Sequence, residues 1–313
     1  EARQTAEALV AMEPERPSYR ALLGEVQMEL GDYPAARASF ESLYLKRYTV
    51  AVAPRAARWE EMRGQVGKAR QLLAAARREA VARGDLPREQ VAWFHMREGD
   101  VELRAGRLEA ADAAYRAGLK ANPEDHRLLA GLARVESANR RWERALELNE
   151  RSVARVLDPT ILAEMSDVAE AMGNPARAAE YARVAEVAAR RQGSTVHRAW
   201  SLYLLDHGRS VNEIAVSAAA DVRVRPDVYG YDLLAWALYR RGQLAEARVA
   251  SARALRLATP DPALYFHAGM IERALGNDGE AARLLERALE INPAFHPRHP
   301  AEARAVLDSI AGG

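Results

Sequence analysis

Residues 265–293, YFHAGMIERALGNDGEAARLLERALEINP, decide the fold. The stretch reads as two short amphipathic helices, helix A and helix B, joined at Gly276 and closed by Asn292-Pro293. A helix that reverses direction often ends in a left-handed residue, which glycine adopts without a Cβ penalty. Proline removes a backbone donor and clashes with the preceding turn, so Pro293 ends helix B.

Outward from this stretch, the same punctuation recurs. Turn residues fall at Gly31, Gly64, Gly106, Arg140 in the equivalent place, Gly173, Gly208, Gly242 and Gly276, spaced 33, 42, 34, 33, 35, 34 and 34 apart. Seven places before each turn stands a small residue, as at Gly24, Ala57, Gly99, Ala133, Ser166, Ser201, Ala235 and Gly269. Five places after it stands alanine, as at Ala36, Ala69, Ala111, Ala145, Ala178, Ala247 and Ala281. In the sixth unit that alanine slips two places, to Ala215. The small residue and the alanine are expected to touch where helix A crosses helix B. A larger side chain often follows four places on, as at Phe40, Leu73, Tyr115 and Leu285. Self-similarity at such a period is the signature of a repeat architecture.

On these residues the chain resembles the tetratricopeptide repeat family. The 34-residue period, the small residue in helix A, the alanine in helix B and the closing Asn-Pro carry the resemblance. The aromatic usual early in helix A is mostly absent: Leu129, Leu162, Tyr231 and Tyr265 stand there. The resemblance implies an all-α, right-handed α-solenoid of about eight helix-turn-helix repeats with a C-terminal capping helix. Residues 1–16 are expected to form a partial repeat, helix B only, whose exposed apolar side predicts either further repeats upstream of Glu1 or another contact that covers this end. Residues 17–293 are expected to hold eight repeats in one continuous solenoid, and residues 294–313 a turn and the capping helix. The 42-residue interval predicts about two extra helical turns near Arg77–Gln90, broken at Gly84-Asp85 and Pro87.

Composition narrows the function. Lys+Arg number 45 against Asp+Glu 44, so no global charge attracts nucleic acid or acidic membranes. The abundance of arginine over lysine fits a GC-rich bacterial genome. There are no cysteines, which removes disulfides, thiolate metal sites and thiol nucleophiles but fits either a cytoplasmic or a periplasmic location. No phosphate-binding glycine loop, zinc-protease helix or nucleophile elbow occurs. His197 with Ser201 and Asp206, and His296 with His299, are the nearest approaches to catalytic or metal chemistry, and each reads first as ordinary polar residues. No catalytic residue, cofactor or metal is expected, and the chain is not expected to be an enzyme.

The resemblance places fixed helix A positions on a concave face. Carried over, these include Met28, Met62, Trp93, Met96, Arg134, Arg198, Tyr229, Asp232, Trp236, Tyr239, Arg240, Phe266, Met270 and Arg273. Methionine suits an adaptable groove, and aromatics edged by charge suit a protein partner. The expected function is a scaffold or adaptor that binds a peptide, helix or subunit of another protein there, with no nucleic acid and no membrane span. Alternatives are a permanent subunit of a larger complex, an RNA-binding helical repeat, or the non-catalytic part of a larger enzyme. The family's carboxylate clamp is missing: Ala21 and Glu25, Pro54 and Arg58, Met96 and Asp100 stand at its positions.

Overall fold

The structure is a computed structural model that describes residues 1–43, 49–192 and 198–312. All regular structure in it is helical. A first helix, α1 (Ala2–Met12), is followed by α2 (Pro17–Glu29) and α3 (Tyr33–Glu41), α4 (Ala53–Met62) and α5 (Val66–Arg83), α6 (Arg88–Arg104) and α7 (Leu108–Ala121), and α8 (His126–Ala138) and α9 (Trp142–Val153). Then come α10 (Pro159–Ala171) and α11 (Pro175–Arg191), α12 (Arg198–Asp206) and α13 (Val211–Val224), α14 (Val228–Arg240) and α15 (Leu244–Ala254), and α16 (Pro262–Ala274) and α17 (Asp278–Ile291). Helix α18 (His299–Ala311) packs against α16 and α17. The long α5 ends at left-handed Gly84 (φ +68°), and α6 follows from Arg88.

Each hairpin turns on a left-handed residue. Seven of these are the spaced glycines, and the eighth is Arg140 at φ 58°. Several helix A segments also start on an aspartate that the periodicity did not highlight. The carboxylates of Asp125, Asp158, Asp227 and Asp261 accept backbone N–H groups of the first turns of α8, α10, α14 and α16. Such a cap contributes about 1 kcal/mol by satisfying donors that the helix cannot.

The crossing within a hairpin involves one residue more than the expected pair. A Cβ built on Gly24 would meet the Phe40 ring at 2.9 Å, one on Gly99 the Tyr115 ring at 2.5 Å, and one on Gly269 the Leu285 side chain at 2.7 Å. The small residue thus meets the large residue four places beyond the alanine as well as the alanine's own backbone: Ser166 Oγ donates to the Ala178 carbonyl at 3.0 Å, and a Cβ on Gly269 would also lie 3.3 Å from the Ala281 carbonyl oxygen. The alanines Ala36, Ala111 and Ala281 are fully buried beside these contacts. The sixth hairpin departs from the others. Its α12 packs more on α14 than on its own partner α13, in keeping with the slipped alanine and a second left-handed residue, Ser210, after Gly208.

The solenoid also meets itself. The turns of the first three hairpins lie against the loops after α13, α15 and α17. Tyr33 Oη accepts the Val228 N–H at 2.8 Å, Thr259 Oγ1 donates to the Met62 carbonyl at 2.7 Å, and Asn292 Nδ2 donates to the Leu103 carbonyl at 2.9 Å. Arg256 reaches the carbonyls of Gly31 and Pro226 and covers the Tyr33 ring, 4.6 Å from its centroid. A Cβ on Gly31 would lie 2.3 Å from the Pro226 carbonyl oxygen, so only glycine permits this approach. Val228, with Tyr229 and Leu257 at its margin, joins Met28, Tyr33, Phe40, Trp59 and Met62 in one apolar cluster. The seam therefore has its own core and narrows the concave face.

Candidate functional site

Two cavities remain on that face. The first, about 680 Å³, is lined from α2, α4 and α6, with Arg127 of α8 at its edge. Trp93 and Met96 stand on its wall, partly exposed. Trp93 is steadied edge-on by buried Phe94, with ring centroids 5.1 Å apart. Charged side chains alternate around them. Arg55 pairs with Glu25 at 2.7 Å, Arg97 with Asp100 at 3.1 Å and Arg127 with Asp125 at 2.7 Å. Beneath, Glu61 bridges Arg58 at 3.3 Å and Arg104 at 2.7 Å. Burial works to raise the Glu61 carboxyl, but Arg104 and Arg58 hold it below the usual carboxylate range. Burial lowers the Arg97 guanidinium, with Asp100 working against it and Arg104 and Arg58 adding repulsion. The floor is thus a set of ion pairs, in which the buried Arg104 Nη2 has no hydrogen-bond partner among the described residues.

The second cavity, about 540 Å³, lies deeper, between α6, α8, α10, the start of α16 and residues 294–297. Arg134 and Glu164 pair across it, with nitrogen–oxygen distances of 3.0 and 2.9 Å. Beside it, aromatic rings interleave with histidine–carboxylate pairs. Trp236 Nε1 donates to Asp206 at 2.7 Å, His267 Nδ1 lies 2.9 Å from Asp232, and the His299 ring stacks on Phe266 at 4.3 Å. Burial pushes the His299 imidazole down to about 3, so the ring is neutral. Asp206, although buried, is held down to about 2 by the hydrogen bond from His299. Burial opposes protonation of His267, yet Asp232 prevails and raises it.

Two groups there have metal-ligating atoms within 4.8 Å of one another: Asp206 with His296 and His299, and Asp167 with Glu170 and His207. Their donors are turned on one another. His296 Nδ1 accepts the Arg298 N–H at 3.2 Å, which puts its proton on Nε2, 3.3 Å from Asp167. The Arg298 guanidinium stands beside Asp167 and Glu170, where a cation would sit.

The positions expected to line an open groove divide. Met28, Met62, Asp232, Trp236 and Phe266 are buried, which corrects the expectation that they face a partner. The seam covers Met28 and Met62, while Trp236 and Phe266 pack among α14, α16 and the histidines. Arg198 is spent on Asp221 and Asp227, tying α12 to the start of α14. Tyr229 lies under Arg58, 5.7 Å from ring centroid to guanidinium. Tyr239 stacks on Trp236 at 4.7 Å, Met270 flanks the same cluster, and Arg273 pairs with Asp278. Arg240 is exposed. Trp93 and Met96 line the first cavity and Arg134 the second. Ser201 of the triad considered above is on α12, and His197 lies outside the described residues. Arg55 and Arg97, neither read from sequence as groove residues, line the first cavity; their spacing from Arg58 and Arg104 was the available signal.

Among the described residues no helix is long and apolar enough to cross a membrane. A comparison with curated proteins finds no match. Similar solved structures include a tetratricopeptide repeat protein from Parabacteroides merdae, 17% identical over 88% of this chain and 99% of that one, with a TM-score of 0.45. A chain of the APC/C hetero-tetramer Cut9-Hcn1 is 15% identical over 98% of this chain and 58% of its own, with a TM-score of 0.48. The human IFIT1 dimer with PPP-AAAA matches at 15% identity over 91% of this chain and 70% of that one, again with a TM-score of 0.48. The profile of the tetratricopeptide repeat matches residues 1–48, 96–160 and 233–294, together more than half of the sequence. With that match, and with hairpins built on one recurring small-under-large crossing, the chain belongs to the tetratricopeptide repeat family.

Proposed function

We propose that the chain is a non-catalytic scaffold that holds a segment of another protein in the cavity between α2, α4 and α6. One observation carries the reading. Trp93 and Met96 remain accessible in an open cavity of about 680 Å³, whereas most other apolar side chains of the concave face are packed inside the chain. A rigid aromatic and a flexible thioether, ringed by paired arginines and carboxylates, suit an extended or helical segment with apolar anchors and mixed charge. A protein is favoured over nucleic acid because Arg55, Arg97, Arg104 and Arg127 already have carboxylate partners, which a phosphate backbone would have to displace.

A photo-crosslinking amino acid placed at Met96 tests this against the same group at exposed Val187. In native extract, position 96 is expected to give a discrete partner adduct that Trp93→Asp reduces at least tenfold. The same adducts from both positions, or an adduct indifferent to Trp93→Asp, would refute the proposal.

A further inference from the structure

Prolines 293 and 297 keep the chain between α17 and α18 out of helix, Pro300 stands in the first turn of α18, and residues 294–297 line the second cavity. What these residues touch is specific. Arg298 Nη1 lies 3.3 Å from Glu170 and Nη2 3.4 Å from Asp167. His296 Nε2 lies 3.3 Å from Asp167, and His299 Nε2 is 3.2 Å from Asp206. The Phe295 ring is 5.9 Å from that of Phe266. Asp167 and Glu170 stand on α10, Asp206 on α12 and Phe266 on α16, all on the inner helices. The chain's own run from Phe295 to the first residue of α18, aromatic then basic, thus occupies an acidic arc of the concave face.

We propose that the arc of Asp167, Glu170 and Asp206 is a docking site for an extended protein segment carrying an aromatic side chain followed three residues later by arginine, and that residues 294–299 fill it in cis until such a segment displaces them. The inference rests on the reading of the concave face as a binding surface. Charge complementarity sets the partner's chemistry: two carboxylates converge on one guanidinium. The cis contact is also imperfect. Both Arg298 ion pairs are long, the guanidinium reaches only one oxygen of each carboxylate, and the buried Arg298 Nε has no hydrogen-bond partner among the described residues. A free segment, not tethered between α17 and α18, can turn its guanidinium to make these bonds squarely. It therefore competes with the tethered one despite the latter's high local concentration.

The test uses the full chain and a fluorescent peptide, NPAFHPRHP, copied from residues 292–300. Arg298→Glu sets a like charge against Asp167 and Glu170 and should release the cis segment. By fluorescence anisotropy the variant is expected to bind the peptide at least tenfold more tightly than the unaltered chain. Adding Asp167→Asn and Glu170→Gln should abolish that gain, as should glutamate in place of the peptide's arginine. Arg298→Gln, which removes the charge without adding another, guards against loss of fold in the first variant, with helicity followed by circular dichroism. A folded Arg298 variant that binds no better than the unaltered chain overturns the proposal, and so does binding indifferent to the peptide's arginine. Crosslinking from position 96 reports the other cavity, so failure here and failure of the scaffold reading are separately visible.

Discussion

His299 shows how a residue that reads as a solvent-exposed side chain in a proline-rich turn becomes structural. The sequence places it in HPRHP; the fold lays its ring on Phe266 and its Nε2–H on Asp206. Its imidazole is held at about 3, below the ordinary 6.5, chiefly by burial. Between those values the unfolded chain binds a proton that the folded chain does not, so acid favours unfolding. The contribution is whole above pH 6.5 and shrinks as pH falls, by about 2 kcal/mol on reaching pH 5. His267 runs the other way: Asp232 raises it, so its contribution is present below the ordinary value and fades as pH climbs through the folded one. Urea denaturation at pH 5 and pH 7 should therefore show an acid loss that His299→Gln diminishes. An equal loss in both proteins would show that His299 is not its source. Arg140 teaches a related lesson. Its place in the spacing marked it as a turn residue, and its φ of 58° bears the steric cost that glycine avoids at the other seven turns.

A hairpin is held by a crossing in which a side chain is missing on purpose. Gly99 lies under the Tyr115 ring, and Tyr115 in turn donates to Asp100 at 2.9 Å. Gly99→Ala would drive a methyl to 2.5 Å from that buried ring and is expected to cost about 1–3 kcal/mol. Gly67→Ala, in the first turn of α5 with nothing within 4 Å of the new methyl, should stabilise by at most about 0.5 kcal/mol, since helix propensity counts for less there than in a helix interior. Thermal melts of the two variants moving in the same direction would contradict the crossing. The periodicity revealed the small residue and the large residue separately. It did not pair them, because their contact depends on the helix crossing angle. The aspartate caps went unread for a different reason: prolines stand near them and had already accounted for the helix boundaries.

Self-contact governs the molecule as a whole. Gly31 and Gly276 are both left-handed turn glycines, at φ 73° and 78°, but only Gly31 is pressed against another loop. Alanine at either site bears about 1 kcal/mol of backbone strain. Gly31→Ala must also move the Pro226 loop, whose carbonyl would lie 2.3 Å from the new methyl. Gly31→Ala is therefore expected to melt lower than Gly276→Ala and, in small-angle X-ray scattering, to show a larger radius of gyration with its helicity kept. Equal radii would mean that the seam does not set the compactness of the solenoid.

The linear chain was enough to specify the helices, their turns and the family, because these depend on contacts between residues fewer than about forty positions apart and repeat with the period. It also placed Trp93 and Met96 among the groove candidates, and both line the first cavity, whose walls come from neighbouring repeats. The fate of Met28, Met62, Trp236 and Phe266 was not legible. Each repeat contributes a small rotation, and only their sum brings Tyr33 to Val228 or Met62 to Thr259, nearly two hundred residues on. That accumulated curvature, together with the proline-bent run that puts Arg298 beside Asp167, converts most of an expected groove into interior and leaves Trp93 and Met96 on the wall of the first cavity.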